Sequence, residues 1–531
     1  MRRWNGWGDD GTDHPLPPNG VQMLHRVIGV GTPPDDARFE SVIATVPTSR
    51  LPDHPLVITD PRTRVRHARG QSLLDWLALR SGRIGSFPDG VALPSTNEEV
   101  RELLTWGAHL GARLIPYGGG TSVLGHINPQ PDERPVVTID MRRLNQLYHL
   151  DEASRLATFG AGVSGPDLEG RLRARGYTLG HFPQSFEYST LGGWVATRSS
   201  GQQSLGYGRI EDLFAGGRLE APAGSIELPP YPASAAGPDL RQLVLGSEGR
   251  LGILTRATVR VTRLPEREEF HGVLFPTFAA GQIAIREMVQ ARLPLSMLRL
   301  SSSRETALTL ALAGHPRAIA ALERVVSLRK IRETKSLLIM GLTGTSTEVR
   351  RTHRIAVRTI RRHGGIDVGR SFGNRWLAGR FAAPYLRNNL WEMGYAVDTW
   401  ETATDWTHVP KMISAIEEAA LRTPLDDPDE RILTFTHISH VYPTGASIYT
   451  TCVFRAAGDP EISIDRARQL KRAVSETILA HGGTISHHHG VGLDHLPYMQ
   501  AEKGTLGVAV LGDALRRFDP DGLMNPGKLV P

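Results

Sequence analysis

HFPQSFEYSTLGGWVATRSSGQQSLGYGRIEDL, residues 181–213, is crowded with small and hydroxylated side chains: Ser185, Ser189, Thr190, Gly192, Gly193, Thr197, Ser199, Ser200 and Gly201. Such a composition lets backbone approach a ligand closely and supplies many uncharged hydrogen-bonding groups. A diphosphate needs donors of that kind, and a flat heteroaromatic ring needs a wall free of bulky Cβ atoms. A Ser/Gly-rich surface loop looks the same in isolation, so the flanking segments decide between the two.

Two of them share its character. RLIPY, a short buried strand, delivers the chain to Gly118-Gly119-Gly120-Thr121-Ser122. Successive backbone N–H groups in such a turn form an anion-binding nest. The turn lacks the Gly-Lys-Ser/Thr of a Walker loop and does not open a helix as GxGxxG does. GSEGRLGIL, residues 246–254, again sets glycines between apolar runs. Together the three segments describe one pocket, lined with backbone donors and large enough for a dinucleotide.

The bulk numbers leave room for that pocket in a multidomain protein. A chain of 531 residues is too long for one ordinary core. Its 40% hydrophobic and 22% charged residues are those of a globular protein. No apolar run is long enough for a membrane span, and MRRWNGWGDDG has no apolar core behind its arginines, so no secretory signal is expected. The single cysteine, Cys452, excludes internal disulfides and fits a reducing, cytoplasmic location. The ending GKLVP is not a peroxisomal Ser-Lys-Leu signal. The +6 charge is carried largely by arginine, which suits carboxylate and phosphate ligands. No Lys/Arg block with interleaved aromatics supports nucleic-acid binding.

Along the chain, residues 1–86 read as an N-terminal region that packs on something else, with a helix over SLLDWLALRSG. Residues 87–265 read as strand, capped helix, strand and glycine turn, followed by further strands. Ser95 or Thr96 caps the first helix, Val100, Leu103 and Leu104 form its apolar side, and Gly111 ends it. Residues 266–480 read as a second domain of strands and amphipathic helices, including a helical stretch over about 304–330. LTFTHISHV and GASIYTTCVF form two strands about a Pro-Thr-Gly turn. Residues 481–531 carry SHHHGVG and the tail. In extended backbone His487 and His489 would share a face and His488 would point away. A zinc site for these histidines is set aside, because metal ligands usually come from several elements and no partner motif stands nearby.

The order PYGGGTS, SFEYSTLGGWVATRSSG, GSEGRLG resembles the FAD-binding domain of vanillyl-alcohol-oxidase-like flavoproteins. Within that superfamily the chain is most similar to the alkyldihydroxyacetonephosphate synthase family. The likeness runs nearly end to end through WNGWG (4–8), LRLSSS (298–303), TWETATDW (399–406), GASIY (445–449) and SHHHGVG (486–492). It implies an α+β protein: a two-subdomain FAD-binding domain of the p-cresol-methylhydroxylase type plus a cap domain with an antiparallel sheet flanked by helices.

Carried over by position, the resemblance puts FAD against Pro116, Tyr117, Gly118, Gly119, Gly120, Thr121 and Ser122. It adds Gln184, Ser185, Phe186, Glu187, Tyr188, Ser189 and Thr190, then Thr197, Arg198, Ser199 and Ser200. Glu248, Gly249, Arg250, Leu251, Gly252, Ile253 and Leu254 complete the set. PYGGGTS and its immediate neighbours lack the His or Cys pair that attaches FAD covalently in some relatives, so dissociable FAD is expected. Tyr449 is the implied general acid/base, with Tyr442 as its rival, and His487, His488, His489 and Arg299 are implied to support catalysis. Arg387 is implied to hold substrate, which suits a phosphate monoester. A tyrosine has a reference pKa of about 10, so a basic role needs a cationic neighbour.

The implied reaction is redox-neutral. A base takes a proton from C1 of acyl-dihydroxyacetone phosphate, the fatty-acid carboxylate leaves, and a long-chain alcohol adds to give an ether lipid, with the flavin as electron sink. A homodimer and peripheral membrane contact without an anchor complete the expectation. The competing reading is an FAD-dependent oxidase or dehydrogenase of a hydroxy acid or alcohol on the same scaffold; a flavin-binding scaffold without turnover is a third.

Overall fold

The structure is a computed structural model and describes residues 1–312, 324, 327, 331–427 and 429–530. Its first sheet has the strand order Val57–Ile58, Gly90–Ala92, Val136–Asp140, Arg113–Tyr117. The last three strands are parallel, which requires crossovers. Helix Asn97–His109 supplies one: Thr96 caps it by accepting from the Glu99 N–H, and Val100, Leu103 and Leu104 are buried beneath it. Of the two caps the sequence offered, Thr96 is the one used.

A second, five-stranded antiparallel sheet runs Leu147–Asp151, Leu156–Gly160, Ile253–Arg260, Phe214–Ala221, Gly224–Leu228. The third sheet is antiparallel, with seven strands in the order Ile366–Asp367, Arg267–Phe275, Ser336–Gly344, Met297–Ser301, Leu433–Val441, Gly445–Arg455, Tyr395–Asp405. Helices Phe278–Gln290, Ser346–Arg362, Val409–Arg422 and Pro460–Ala480 bury their apolar stripes with it in one core. This is the expected α+β architecture, with helices flanking an antiparallel sheet.

Both chain ends are tied into these layers. Trp7 and Trp76 join the core of the seven-stranded sheet, and Asn388 clamps Trp7 by accepting from its N–H (3.1 Å) and donating to its carbonyl (2.9 Å). At the other end, the Leu114 N–H donates to Leu523 O and the Asn525 N–H donates to Leu114 O, each at 2.8 Å.

Residues 181–213 are less loop-like than their composition reads. Thr190 caps helix Leu191–Thr197 by accepting from the Gly193 N–H, and short helices cover Ser204–Tyr207 and Ile210–Leu213. The glycines there face close neighbours and do not break the helix. The helical stretch read over about 304–330 is described as Ser303–Leu312; apart from 324 and 327, residues 313–330 lie outside the described residues. Helices Ala383–Glu392 and Met499–Phe518 have no counterpart in the sequence reading. The second is interrupted at Gly504 (φ 70°) and buries only Met499 and Leu515, so its periodicity is weak.

Candidate active site

A single carboxylate organises the histidine run. Glu401 lies in strand Tyr395–Asp405 with its side chain 1% exposed. It accepts the backbone N–H groups of His487, His488 and His489 and the Ser486 hydroxyl, all at 2.9 Å. Residues 487–489 therefore form a tight turn around Glu401, and the alternation expected of extended backbone does not apply. Glu248, equally buried, accepts from the Val491 and Gly492 N–H groups and lies 3.1 Å from His126 Nε2. Two carboxylates, one from each half of the protein, thus hold the two ends of SHHHGVG. Burial works to raise the Glu401 carboxyl, but His488 and its neighbours hold it well below the ordinary range.

Tyr449 is the register partner of both Glu401 and His437, so the three side chains form a row across adjacent strands. The Tyr449 ring stacks on His437 at 5.0 Å and meets His489 at 5.9 Å. Burial pushes its phenol above the ordinary value and Glu401 adds to this, while Thr399 and Arg387 pull it back. Burial holds His489 neutral, with a pKa of about 3, and pushes His440 and His487 well below the usual imidazole range.

Behind Tyr449, Arg299 donates to Glu305 Oε1 (2.6 Å), to the Ser301 hydroxyl (3.1 Å) and to His437 Nδ1 (3.2 Å). Arg299 thus braces the row from behind. Burial opposes ionisation of Glu305, but Arg299 and His437 bring its pKa down to about 2. A depressed carboxylate stabilises the fold above its unfolded pKa of about 4.3 and loses that contribution as pH falls toward 2. The difference corresponds to roughly 3 kcal/mol. Urea midpoints should therefore drop between pH 5 and pH 3, and Glu305→Gln should flatten that drop.

Arg387 comes from helix Ala383–Glu392. It donates to Gln71 O at 2.7 Å and lies 4.4 Å over the Trp76 ring. Both supports belong to the N-terminal region, which therefore shapes the site as well as packing on it. Among the described residues Arg387 forms no ion pair. Burial lowers its pKa to about 10, so it stays cationic near neutrality, with Asp398, Tyr449 and Asp75 within electrostatic reach.

Tyr442 sits in a different group. Arg209 donates to His487 Nε2 (2.8 Å) and to the Tyr442 hydroxyl (3.2 Å), and Tyr442 lies 2.6 Å from the same Nε2. An arginine can only donate, so His487 Nε2 is unprotonated and its proton sits on Nδ1, 2.9 Å from His488 Nδ1. His440 donates through Nε2 to Gly201 O (3.2 Å) and packs on His487 at 5.0 Å. The structure thus supplies the partner that the sequence lacked: His440, His487 and His488 present ligand atoms within 4.8 Å of one another. The Arg209 guanidinium on His487 opposes a cation there.

On the other side, the glycine segments converge. A Cβ on Gly119 would overlap the Tyr188 carbonyl, and Gly120 has φ +65°, so both positions require glycine. Gly249 lies against Pro116, and Ser122 shares its hydroxyl with His126 Nδ1 at 2.6 Å. Beside this loop, the Ser122 carbonyl accepts from the Gln71 N–H, and Asn128 O accepts from Lys528 Nζ at 2.8 Å. Burial, Arg250 and Arg69 lower the Lys528 pKa to about 7. Buried Lys528, with the half-buried Arg69 and Arg250 in electrostatic reach of it, lies near the chain that follows the glycine turn and suits the diphosphate of a dinucleotide.

The remaining expected cofactor residues are placed less centrally. Gln184 is exposed and donates to Arg380 O, Phe186 stacks on Phe381 at 5.0 Å, and the Tyr188 hydroxyl meets Tyr385. Ser189 accepts from the Trp194 indole N–H, Thr197 donates to Gly193 O, and Arg198 reaches Leu245 O and Gln242. Ser199 bonds His181, and Ser200 bonds Ser204. Arg250 donates to Met524 O, while Leu251, Gly252, Ile253 and Leu254 are buried as the chain enters strand Ile253–Arg260.

Glycine turns at strand ends in one half of the chain, joined to a second half built on a seven-stranded antiparallel sheet, define the class: a two-part flavoprotein. Comparison with known proteins agrees. Residues 88–227 match the family FAD binding domain, and residues 264–529 match FAD linked oxidases, C-terminal domain. The chain is 33% identical over 489 residues to the alkyldihydroxyacetonephosphate synthase of Dictyostelium discoideum, covering 91% of this chain and 79% of that protein. It is 29% identical to that of Trypanosoma brucei brucei, covering 100% and 92%. A solved alkyldihydroxyacetonephosphate synthase structure superposes with a TM-score of 0.85 at 28% identity over 99% of both chains. The chain belongs to the alkyldihydroxyacetonephosphate synthase family, and its cofactor is FAD.

Sequence reading missed Glu401, His437, Glu305, Arg209, His440, His126 and Lys528. Glu401 had a signal, as the one acid in the Thr/Trp/Ala-rich core of its strand. His126 and Lys528 had none, because their role depends on contacts between segments far apart in the chain.

Proposed function

We propose that this enzyme replaces the acyl chain of acyl-dihydroxyacetone phosphate with a long-chain alcohol, an FAD-dependent reaction without net electron transfer. The observation that carries it is Arg387. A partly buried guanidinium that makes no ion pair among the described residues, with Asp398 and Asp75 acting on it only at a distance, resting on Trp76 and near Tyr449, leaves donors free for an anion. A phosphate monoester satisfies it bidentately, and brings the substrate's C1 toward the Tyr449 row.

In this reading Tyr449 moves the proton at C1. Burial favours its protonated form, so it is an acid at rest and becomes a base as positive charge gathers around it. The neutral His489 and the His437–Glu305–Arg299 chain keep its ring in place and accept polarisation. The backbone donors of Pro116–Ser122, Tyr188–Thr190 and Glu248–Gly249, with Arg69, Arg250 and Lys528, would hold FAD. When bound, FAD supplies an electron sink for the charge left at C1. Glu401 and His437 are buried on either side of the half-buried Tyr449, which limits the water around its ring and favours alcohol over hydrolysis.

The test is anaerobic mixing of FAD-loaded protein with palmitoyl-dihydroxyacetone phosphate and hexadecanol, reading lipid products and flavin spectrum together. Ether product with no electron acceptor consumed supports the transferase. Flavin reduction by a hydroxy acid, with no ether product, makes the protein an oxidoreductase. Arg387→Met is expected to raise KM for the phosphorylated ketone by about 10–100-fold, the size of a lost charged hydrogen bond. Steady-state kinetics at varied substrate concentration check it.

A further inference from the structure

At the opposite edge of the seven-stranded sheet from Glu401, two histidines converge on one carboxylate. Strand Ile366–Asp367 is the edge strand, and Asp367 pairs in register with Val273. His271, two residues before Val273, therefore lies diagonal to Asp367 on the same face. His353 comes from helix Ser346–Arg362. Asp367 Oδ1 accepts from the Gly369 N–H at 2.8 Å, which leaves Oδ2 to face both rings. His271 Nδ1 is 3.1 Å from Oδ2 and His353 Nε2 is 2.7 Å from it. The three residues present ligand atoms within 4.8 Å of one another.

We infer that His271, His353 and Asp367 bind a divalent transition ion of the zinc class, with Glu269 orienting His271. Tetrahedral Zn²⁺ with bonds of about 2.0–2.2 Å separates its ligands by roughly 3.3 Å, so only small side-chain shifts convert these contacts into a coordination sphere. Imidazole and carboxylate donors suit zinc. His271 Nε2 is buried without a hydrogen-bond partner, 3.5 Å from Glu269 Oε2. That is the position of the carboxylate that orients a metal-bound histidine from behind. His353, 32% exposed, leaves a path for solvent to complete the sphere.

The ligands come from three elements at the sheet edge, strands Arg267–Phe275 and Ile366–Asp367 and helix Ser346–Arg362, a source that sequence spacing does not reveal. Bound metal would tie the two-residue edge strand to helix Ser346–Arg362. The same edge leads directly into helices Arg370–Gly379 and Ala383–Glu392, the second of which carries Arg387. The site is separate from the Tyr449 row, so metal affects rigidity before chemistry.

The experiment uses tag-free, full-length, FAD-loaded protein, dialysed against chelator and titrated with Co²⁺ and with Zn²⁺. The expected result is one tightly bound equivalent, visible tetrahedral Co²⁺ absorption, and a thermal midpoint that rises with Zn²⁺. His353→Gln and Asp367→Asn should each weaken binding at least tenfold and abolish the midpoint rise, with unchanged far-ultraviolet circular dichroism. His353 is partly exposed on a helix, so its variant tests binding without emptying the core. Absence of binding in the wild type, or wild-type binding in both variants, overturns the proposal. The second outcome would move the ion to His440, His487 and His488.

Discussion

Tyr449→Phe is expected to lower the rate of acyl-for-alkoxy exchange by about 10²–10⁴-fold, the range that a positioned general acid or base contributes. FAD loading and the thermal midpoint should stay at wild-type values, because the substitution removes one oxygen and leaves the stack on His437 intact. The pH profile gives a sharper readout. Burial and Glu401 hold the phenol above its ordinary value, so its deprotonated fraction grows tenfold per pH unit throughout the neutral range. The wild-type kcat/KM should rise with pH without levelling before about pH 10. The Phe variant should lose that dependence. Exchange at the wild-type rate in Tyr449→Phe would move the proton transfer elsewhere, and Tyr442→Phe would be the next variant to assay.

Glu401→Gln is expected to be nearly as damaging by a different route. The carboxylate collects three backbone N–H groups and a hydroxyl, and it faces His488 Nδ1 at 3.2 Å. An amide keeps one accepting oxygen but places N–H groups against N–H groups and removes the charge. Breaking a buried charged network typically costs about 3–5 kcal/mol, and denaturant unfolding should report a loss of that order. The histidine turn should lose its register on Tyr449, and a shift of about 1 Å at a reacting centre costs about 10²-fold in rate. Glu401 acts as a positioning residue, which a pH profile can separate from a purely structural one. Its charge raises the Tyr449 pKa, so in Glu401→Gln the rising limb of kcat/KM should move to lower pH. An unmoved limb would reduce Glu401 to a structural anchor.

Much of the pocket was legible because its signals are local. A strand followed by Gly118-Gly119-Gly120 needs only adjacent residues to form a nest, and Thr96 caps a helix through its own neighbours. Tyr449 and the histidines stood out through the order of motifs around them. Their mutual geometry did not, because alternation predicts side-chain direction only in extended backbone. In SHHHGVG the backbone N–H groups turn inward to reach Glu401, some 86 residues earlier in the chain.

By itself, the amino-acid sequence determined the glycine turns, the capped helices, the alternating strands and the presence of a tyrosine late in the second domain and three histidines in the segment after it. Each depends on interactions within a few residues, where chain connectivity already brings the partners together. Only the tertiary structure decided that Glu401 and Glu248 pin the two ends of one turn, and that Gln71 and Trp76 carry Arg387. It alone placed Lys528 beside the glycine loop and gathered His271, His353 and Asp367 at one sheet edge. Those contacts join segments tens to hundreds of residues apart. Their energies come from desolvated charges finding partners, and burial, which makes such partnerships strong, exists only once the sheets have assembled.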